Sequence, residues 1–297
     1  MKMGAEVKKT KNLKNPSLRV ETLIQALPYI QKFRGKTFVI KYGGSAMTDL
    51  SLKKSTIRDI LLLSCVGINV ILVHGGGKEI NQMVEKLNMK VQFVDGHRVT
   101  DAKTMEIVEM VLNGKVQKDL VNLININGGH AIGLSGKDGR LFSAKPLHKK
   151  NKLGFIGDVF KVDPEILYTL LEKGFIPVVS SVGADPSGQN YNINADNVAC
   201  SIANAIKASK LILMTDIDGV LKDPKDPKSL ISKITTRDAK ILIRNKTISG
   251  GMIPKINAAV NSINSHVGAV HIINGNTQHS LLLETFTDSG IGTMIVK

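Results

Sequence analysis

Two short apolar runs, each ending in glycines, constrain this chain more than any other feature. The first is Thr37-Phe38-Val39-Ile40, followed by Lys41-Tyr42-Gly43-Gly44-Ser45. The second is Val70-Ile71-Leu72-Val73, followed by His74-Gly75-Gly76-Gly77. Each apolar run reads as a buried β-strand, and helical spacing follows each turn. Glycines let backbone N–H groups approach an anion closely, and Lys41 adds a mobile point charge. Two such cradles at the ends of strands in one sheet point to a phosphoryl donor and an acidic acceptor held side by side.

The alternation continues along the chain. Helices are expected near 52–65 and 77–87, and again over 105–112 and 116–126. Strands are expected at 37–41, 69–73, 131–134, 176–180, 210–214 and 269–273, and 135–160 reads as hairpin and loop. This order predicts an α/β three-layer sandwich with a largely parallel central sheet. Ligands then belong beyond the carboxyl ends of the strands. Residues 1–16 read as disordered. Ser17 is placed to cap a helix carrying Leu18, Val20, Leu23, Ile24, Leu27, Ile30 and Phe33, which Pro28 should kink or end. Its apolar face either packs on its own domain or serves subunit contacts.

Bulk properties narrow the function. The 297 residues suffice for one large domain or two lobes. Trp is absent and aromatics make up 4%, which argues against a stacking platform for nucleic acid. The net charge of +15 is spread over the chain: Lys2, Lys8, Lys9, Lys11 and Lys14 at the start, then Lys53-Lys54, Lys149-Lys150 and the run from Lys222 to Lys228. A solvated surface that attracts anionic substrates fits this spread better than a nucleic-acid patch. Cys65 and Cys200 offer no CxxC, so neither a disulfide framework nor structural zinc is indicated, and a reducing compartment fits. The apolar stretch 60–73 is broken by Ser64, Gly67 and Asn69 and is too short for a bilayer. The N-terminus lacks the apolar region of a secretory signal.

Several motifs carry chemistry, each beside a plainer reading. No GxxxxGK[ST] occurs and no GxGxxG follows a strand. His74-Gly75-Gly76-Gly77 looks like an esterase oxyanion loop, but Gly133-Leu134-Ser135-Gly136-Lys137 fails as the nucleophile elbow at its last position. At the start of a helix the same glycines favour a carboxylate or phosphate, or form only a tight turn. In Asp95-Gly96-His97-Arg98-Val99-Thr100-Asp101, Arg98 either grips a carboxylate with paired hydrogen bonds or sits at the surface against Asp95 or Asp101. In Tyr191-Asn192-Ile193-Asn194-Ala195-Asp196 the amides suit a small polar ligand. Asp196 there is a helix N-cap or a carboxylate that holds lysines in place. Thr215-Asp216-Ile217-Asp218-Gly219-Val220-Leu221 is an acidic turn after a strand. Ser249-Gly250-Gly251-Met252-Ile253-Pro254-Lys255 opens a helix with a cation in its first turn, set against the dipole, which favours an anion contact over a structural role.

Taken in order, KYGGSAM, LVHGGGKEIN, DGHRVTD, YNINAD, TDIDGVL and SGGMIPK resemble the amino-acid kinase family from about residue 20 to the C-terminus. Within it, DGHRVTD and YNINAD resemble members whose acceptor is N-acetyl-L-glutamate. Glutamate 5-kinase or another member is the competing enzyme. A sensor with this fold that binds a metabolite or nucleic acid without catalysis is opposed by the intact Lys41, Asp196 and Lys255.

The resemblance implies transfer of the γ-phosphoryl of ATP to the side-chain carboxylate of N-acetyl-L-glutamate, giving an acyl phosphate in the second step of arginine biosynthesis. It implies a kinase domain over 36–297, with an acceptor lobe about 36–185, an ATP lobe about 186–297, and an extension over 1–35. By the same resemblance, Lys41 and Lys255 stabilise the migrating phosphoryl group and Asp196 orients both. Gly76, Gly77, Arg98, Asn192 and Asn194 hold the acceptor. ATP contacts fall to Gly43, Gly44, Thr215, Asp216, Gly219, Val220, Leu221, Gly251 and Met252. Mg²⁺ is held mainly by phosphates. The C-terminal segment resembles arginine-inhibited members and implies an L-arginine site at Tyr29, His279, Glu284 and Gly290. It further implies a hexamer built as a trimer of dimers, a possible PII signalling partner, no nucleic-acid or membrane partner, and a cytoplasmic or plastid-stroma location.

Overall fold

The computed structural model describes residues 16–94, 97–147, 153–223 and 225–297. The expectations for residues 1–15, for Asp95 as a partner of Arg98, and for Lys149-Lys150 lie outside the described residues. The chain runs α1 (Pro16–Phe33), β1 (Thr37–Tyr42), α2 (Leu50–Cys65), β2 (Asn69–His74) and α3 (Gly77–Lys86). A small hairpin, β3 (Phe93–Val94) and β4 (His97–Arg98), leads to α4 (Ala102–Glu109), a π-helical segment Met110–Val116 and α5 (Gln117–Ile126). Then come β5 (Ala131–Leu134), β6 (Phe142–Pro146), β7 (Ile156–Val162), α6 (Glu165–Glu172), β8 (Ile176–Ser180), β9 (Val182–Ala184), β10 (Asn190–Ile193) and α7 (Ala195–Ala205). The last part holds β11 (Lys210–Thr215), β12 (Lys233–Thr235), α8 (Thr236–Arg244), α9 (Met252–Asn264), β13 (Val270–Asn274), α10 (Ser280–Thr285) and β14 (Thr293–Val296).

One sheet of order β12-β14-β13-β11-β1-β2-β8-β5 crosses the molecule, parallel except where β14 meets β13. Its central strands are buried on both faces, so they read as continuous apolar runs. On β1, Val39 faces one core with Leu211, Val198 and Ile256, while Phe38, Ile40 and Tyr42 face the other with Ile57, Ile60 and Leu72. Helices α7 and α9 cover the first face; α2, α3 and the α4–α5 helix cover the second. The expected hairpin in 135–160 is present as β6 and β7, but β9 and β10 close it into a small barrel. Nothing local in the short β9 and β10 segments announces that closure. Among the described residues no helix is long and apolar enough to cross a membrane.

Four local expectations are corrected. Ser17 does not precede the first helix, which already begins at Pro16; proline is tolerated there because its missing N–H would have no helical partner. Pro28 does not end that helix, which runs on to Phe33. The carbonyl it leaves unpaired belongs to Ile24, which is exposed, so water can satisfy it. Nor does α1 pack its apolar face on its own domain: Leu18, Val20, Leu23, Ile24 and Leu27 are exposed and Phe33 is its buried residue. The two helices read over 105–112 and 116–126 are one, joined through the π segment, which keeps Val111, Leu112 and Val116 buried across Gly114.

Candidate active site

Strand β1 is central, so its carboxyl end lies beside those of β2 and β11. Lys41 sits there, and its Nζ is 3.0 Å from Oδ1 of Asp196. Lys255, in the first turn of α9, bonds the other oxygen, Oδ2. One carboxylate therefore holds both ammonium groups. Asp196 is not the helix N-cap; Asn194 takes that place, accepting from the Asp196 N–H at 2.8 Å, and leaves the Asp196 side chain free for the lysines. Burial alone would raise the Asp196 pKa, but the charges of Lys41 and Lys255 outweigh it and hold the carboxyl below its usual range. The two lysines are partly exposed, at 13% and 26%. Their charges thus face the opening as well as Asp196.

The glycines around them are spatial requirements. A Cβ at Gly43 would lie 2.6 Å from Lys41 Nζ, so the bare backbone lets the ammonium fold over the turn. Gly44 has φ +74°, and a Cβ there would lie 2.4 Å from Asp216 Oδ1. Asp216 accepts from Ser45 N at 2.8 Å and Ser45 Oγ at 2.6 Å, and so fastens the first glycine turn to the end of β11. The Ser45 hydroxyl also meets the Asn276 amide group at 2.5 Å, beyond β13.

Beside this cluster lies a cavity of about 210 Å³ lined by Gly75, Gly76, Gly77, Arg98, Asn192 and Asn194, with Ser181, Ile156 and Leu112. All five residues expected to hold the acceptor meet here. Arg98 is buried, and its Nη2 donates to the Gly77 carbonyl at 3.0 Å while its Nη1 has no partner among the described residues. Asp101 is not the partner of Arg98; it caps α4, accepting from Thr104 N at 2.8 Å. The N–H groups of Gly76 and Gly77 have no partner among the described residues. Gly76 is required because a Cβ would lie 2.6 Å from Leu112 of the π segment. Sequence reasoning missed Ser181, Ile156 and Leu112. Only Ser181, directly after a buried strand, carries a signal that could have found it.

A second cavity of about 260 Å³ is lined by Ile217, Asp218, Gly219, Val220, Leu221, Thr247, Ile248, Ser249 and Met252. It gathers Gly219, Val220, Leu221 and Met252 of the expected ATP contacts. Thr215, Asp216 and Gly251 do not line it: Thr215 ends β11 and its carbonyl accepts from Gly275 N at 2.8 Å, Asp216 holds Ser45, and Gly251 is the N-cap of α9. Among the described residues no group of three or more His, Cys, Asp or Glu side chains converges as a metal cage.

Of the residues assigned to arginine, Tyr29, Glu284 and Gly290 line one cavity of about 500 Å³ with Lys210 and His271. Glu284 is buried there, not a surface group; it pairs with His271 Nδ1 at 2.6 Å and accepts from the N–H groups of Ile291 and Gly292. His279 does not join them. Its Nδ1 lies 2.6 Å from Asp59 Oδ1, and its backbone N–H donates to Ser55 Oγ.

The fold places the protein among the phosphotransferases. A model of the amino acid kinase family matches residues 36–274, and the chain belongs to that family. It is 58% identical over 278 residues to the acetylglutamate kinase of Trichormus variabilis, covering 94% of this chain and 93% of that one. It is 54% identical over 286 residues to the chloroplastic acetylglutamate kinase of Arabidopsis thaliana, covering 96% and 82%. Among solved structures it is similar to N-acetylglutamate synthase of Neisseria gonorrhoeae with coenzyme A and N-acetyl-glutamate, at TM-score 0.82 and 27% identity over 94% of this chain. This chain spans 63% of that longer protein. The same synthase with coenzyme A and L-arginine aligns at TM-score 0.79 and 25% identity, over 94% of this chain and 65% of that one.

Proposed function

We propose that the protein phosphorylates the side-chain carboxylate of N-acetyl-L-glutamate with ATP, forming N-acetyl-L-glutamyl 5-phosphate. The observation that carries this reading is the Lys41–Asp196–Lys255 bridge beside a cavity that presents free glycine N–H groups and a buried arginine. The acceptor carboxylate is already a nucleophile at neutral pH, so no general base is needed. The obstacle is the meeting of two anions, and catalysis reduces to positioning and electrostatics. Arg98 and Asn192 bind the acceptor's fixed end, while Gly76 and Gly77 face its reacting carboxylate. The Gly43-Gly44 turn cradles phosphate oxygens. Lys41 and Lys255, held in place by Asp196, neutralise the charge that spreads over the migrating group. Mg²⁺ would be held mainly by the phosphates of ATP, where it would offset their negative charge, because the charged side chains gathered here are mainly cations and no carboxylate cage forms among the described residues.

In this reading the acceptor lobe is about 36–185 and the ATP lobe about 186–297, meeting along the β1–β11 pair. L-Arginine inhibits from the cavity of Glu284, Gly290 and Tyr29; the similar synthase solved with L-arginine supports it. The exposed apolar side chains of α1 then serve subunit contacts in an oligomer. The protein works in the cytoplasm or in a plastid, and the chloroplastic relative supports the second. The deciding assay is ADP release with N-acetyl-L-glutamate against free glutamate, each with and without arginine. Turnover of free glutamate alone identifies the glutamate 5-kinase activity instead, and rates flat across millimolar arginine remove the inhibitory site.

A further inference from the structure

His74 ends β2 directly before the acceptor glycines, and the chemistry above gives it no part. It is fully buried, between Tyr42 on β1 and Ser180 on β8 in register. Its Nδ1 lies 2.9 Å from the carbonyl oxygen of Gly75. A carbonyl only accepts, so Nδ1 carries the proton. The Nε2 nitrogen has no partner among the described residues. Burial pushes the imidazole down to about 4, so it stays neutral and the tautomer is locked.

The Gly75–Gly76 peptide is planar and trans, as are all the described peptide bonds, so its C=O and N–H point in opposite directions. With the carbonyl drawn down to His74 in the core, the Gly76 N–H turns outward, to the side of the cavity that Gly76 lines. Glycine itself would let this peptide flip, because both flanking residues lack a Cβ. We propose that His74 is a positioning residue: its Nδ1–H fixes the Gly75–Gly76 peptide so that the Gly76 N–H is presented to the acceptor carboxylate. The inference rests on the acceptor reading given above. It assigns His74 no contact with substrate and no proton transfer.

The test compares His74→Leu, His74→Asn and His74→Gln in steady-state assays, with melting temperature recorded for each. Leu removes the donor and also the unpartnered Nε2, so it should fold. Asn places an amide nitrogen within the reach of Nδ1; Gln places one within the reach of Nε2. Expected for Leu and Gln is a fall in kcat/KM for N-acetyl-L-glutamate of about 10- to 100-fold, the loss of one hydrogen bond to a charged group, with the ATP KM unchanged. Asn should restore most of the acceptor kcat/KM. A structural role alone would move both substrates alike, track melting temperature and show no difference between Asn and Gln. Unchanged acceptor kinetics in Leu, or equal losses in Asn and Gln, overturn the proposal. A wild-type enzyme inert toward N-acetyl-L-glutamate instead overturns the acceptor reading on which it rests.

Discussion

Replacing Asp196 by Asn removes one negative charge from between two ammonium groups and keeps the side chain's size. Asp196 is 9% exposed and bonded to both Lys41 and Lys255, so water screens the three charges only partly. Removing one partner of a buried charged group costs about 3–5 kcal/mol, and the partial exposure of the lysines argues for the lower end, about 3 kcal/mol. For a chain of this size about 1 kcal/mol moves Tm by roughly 2–4 °C, so Tm should fall by roughly 6–12 °C at neutral pH. The pH dependence has a definite sign. The folded pKa of Asp196 lies below its unfolded value, so its stabilisation is present in full above about 4 and is lost as pH falls through the folded pKa. The Tm difference between Asp196→Asn and wild type should therefore shrink under strongly acid conditions. ATP phosphates supply negative charge to the same two lysines, so MgATP should raise Tm more in the variant than in wild type. In the forward reaction kcat should drop on the order of 10²–10³, as when one preorganised group is lost. Scanning calorimetry with and without MgATP, beside coupled ADP release, measures all of this. A variant with near-wild-type kcat and an unmoved Tm would refute the idea that one carboxylate sets the spacing of the two cations.

Four further outcomes are expected. Lys41→Ala and Lys255→Ala each lower kcat on the order of 10²–10³ in the same ADP assay; wild-type kcat in either removes that lysine from the transition state. Arg98→Ala raises the KM for N-acetyl-L-glutamate and spares that for ATP; the reverse pattern contradicts its place in the acceptor cavity. Gly44→Ala forces a side chain into a left-handed φ against Asp216, so ATP kinetics worsen and Tm drops by a few degrees, from strain of about 1–3 kcal/mol. Glu284→Gln removes the charge that would receive a guanidinium and weakens arginine inhibition at unchanged basal rate; inhibition of wild-type strength would place arginine elsewhere.

Much of the site is legible along the chain because its parts obey local rules. A strand that ends in Lys41-Tyr42-Gly43-Gly44 must turn sharply, and a helix that opens on Gly75-Gly76-Gly77 must present unpaired N–H groups. The cation in the first turn of α9 opposes the helix dipole and so asks for an anion, which the structure supplies as Asp196. Less legible was Asp216. Its nucleotide role was implied by the family resemblance alone, and nothing in the turn itself announces that its side chain fastens the first glycine turn. Nor does spacing within the C-terminal run separate His279, bound to Asp59, from Glu284, bound to His271. That depends on which helix each side chain meets.

Periodicity, caps and glycine freedom act over a few residues, and they decided where strands begin, where helices open and which loops can cradle an anion. Convergence belongs to the tertiary structure. The order β11-β1-β2 at the sheet's centre puts the end of β1 between two helix openings that lie far apart in the chain. Only after both faces of that sheet are buried does one carboxylate come within bonding distance of two lysines. Sheet order is chosen by burial and crossover handedness over the whole domain, which no short window of residues records.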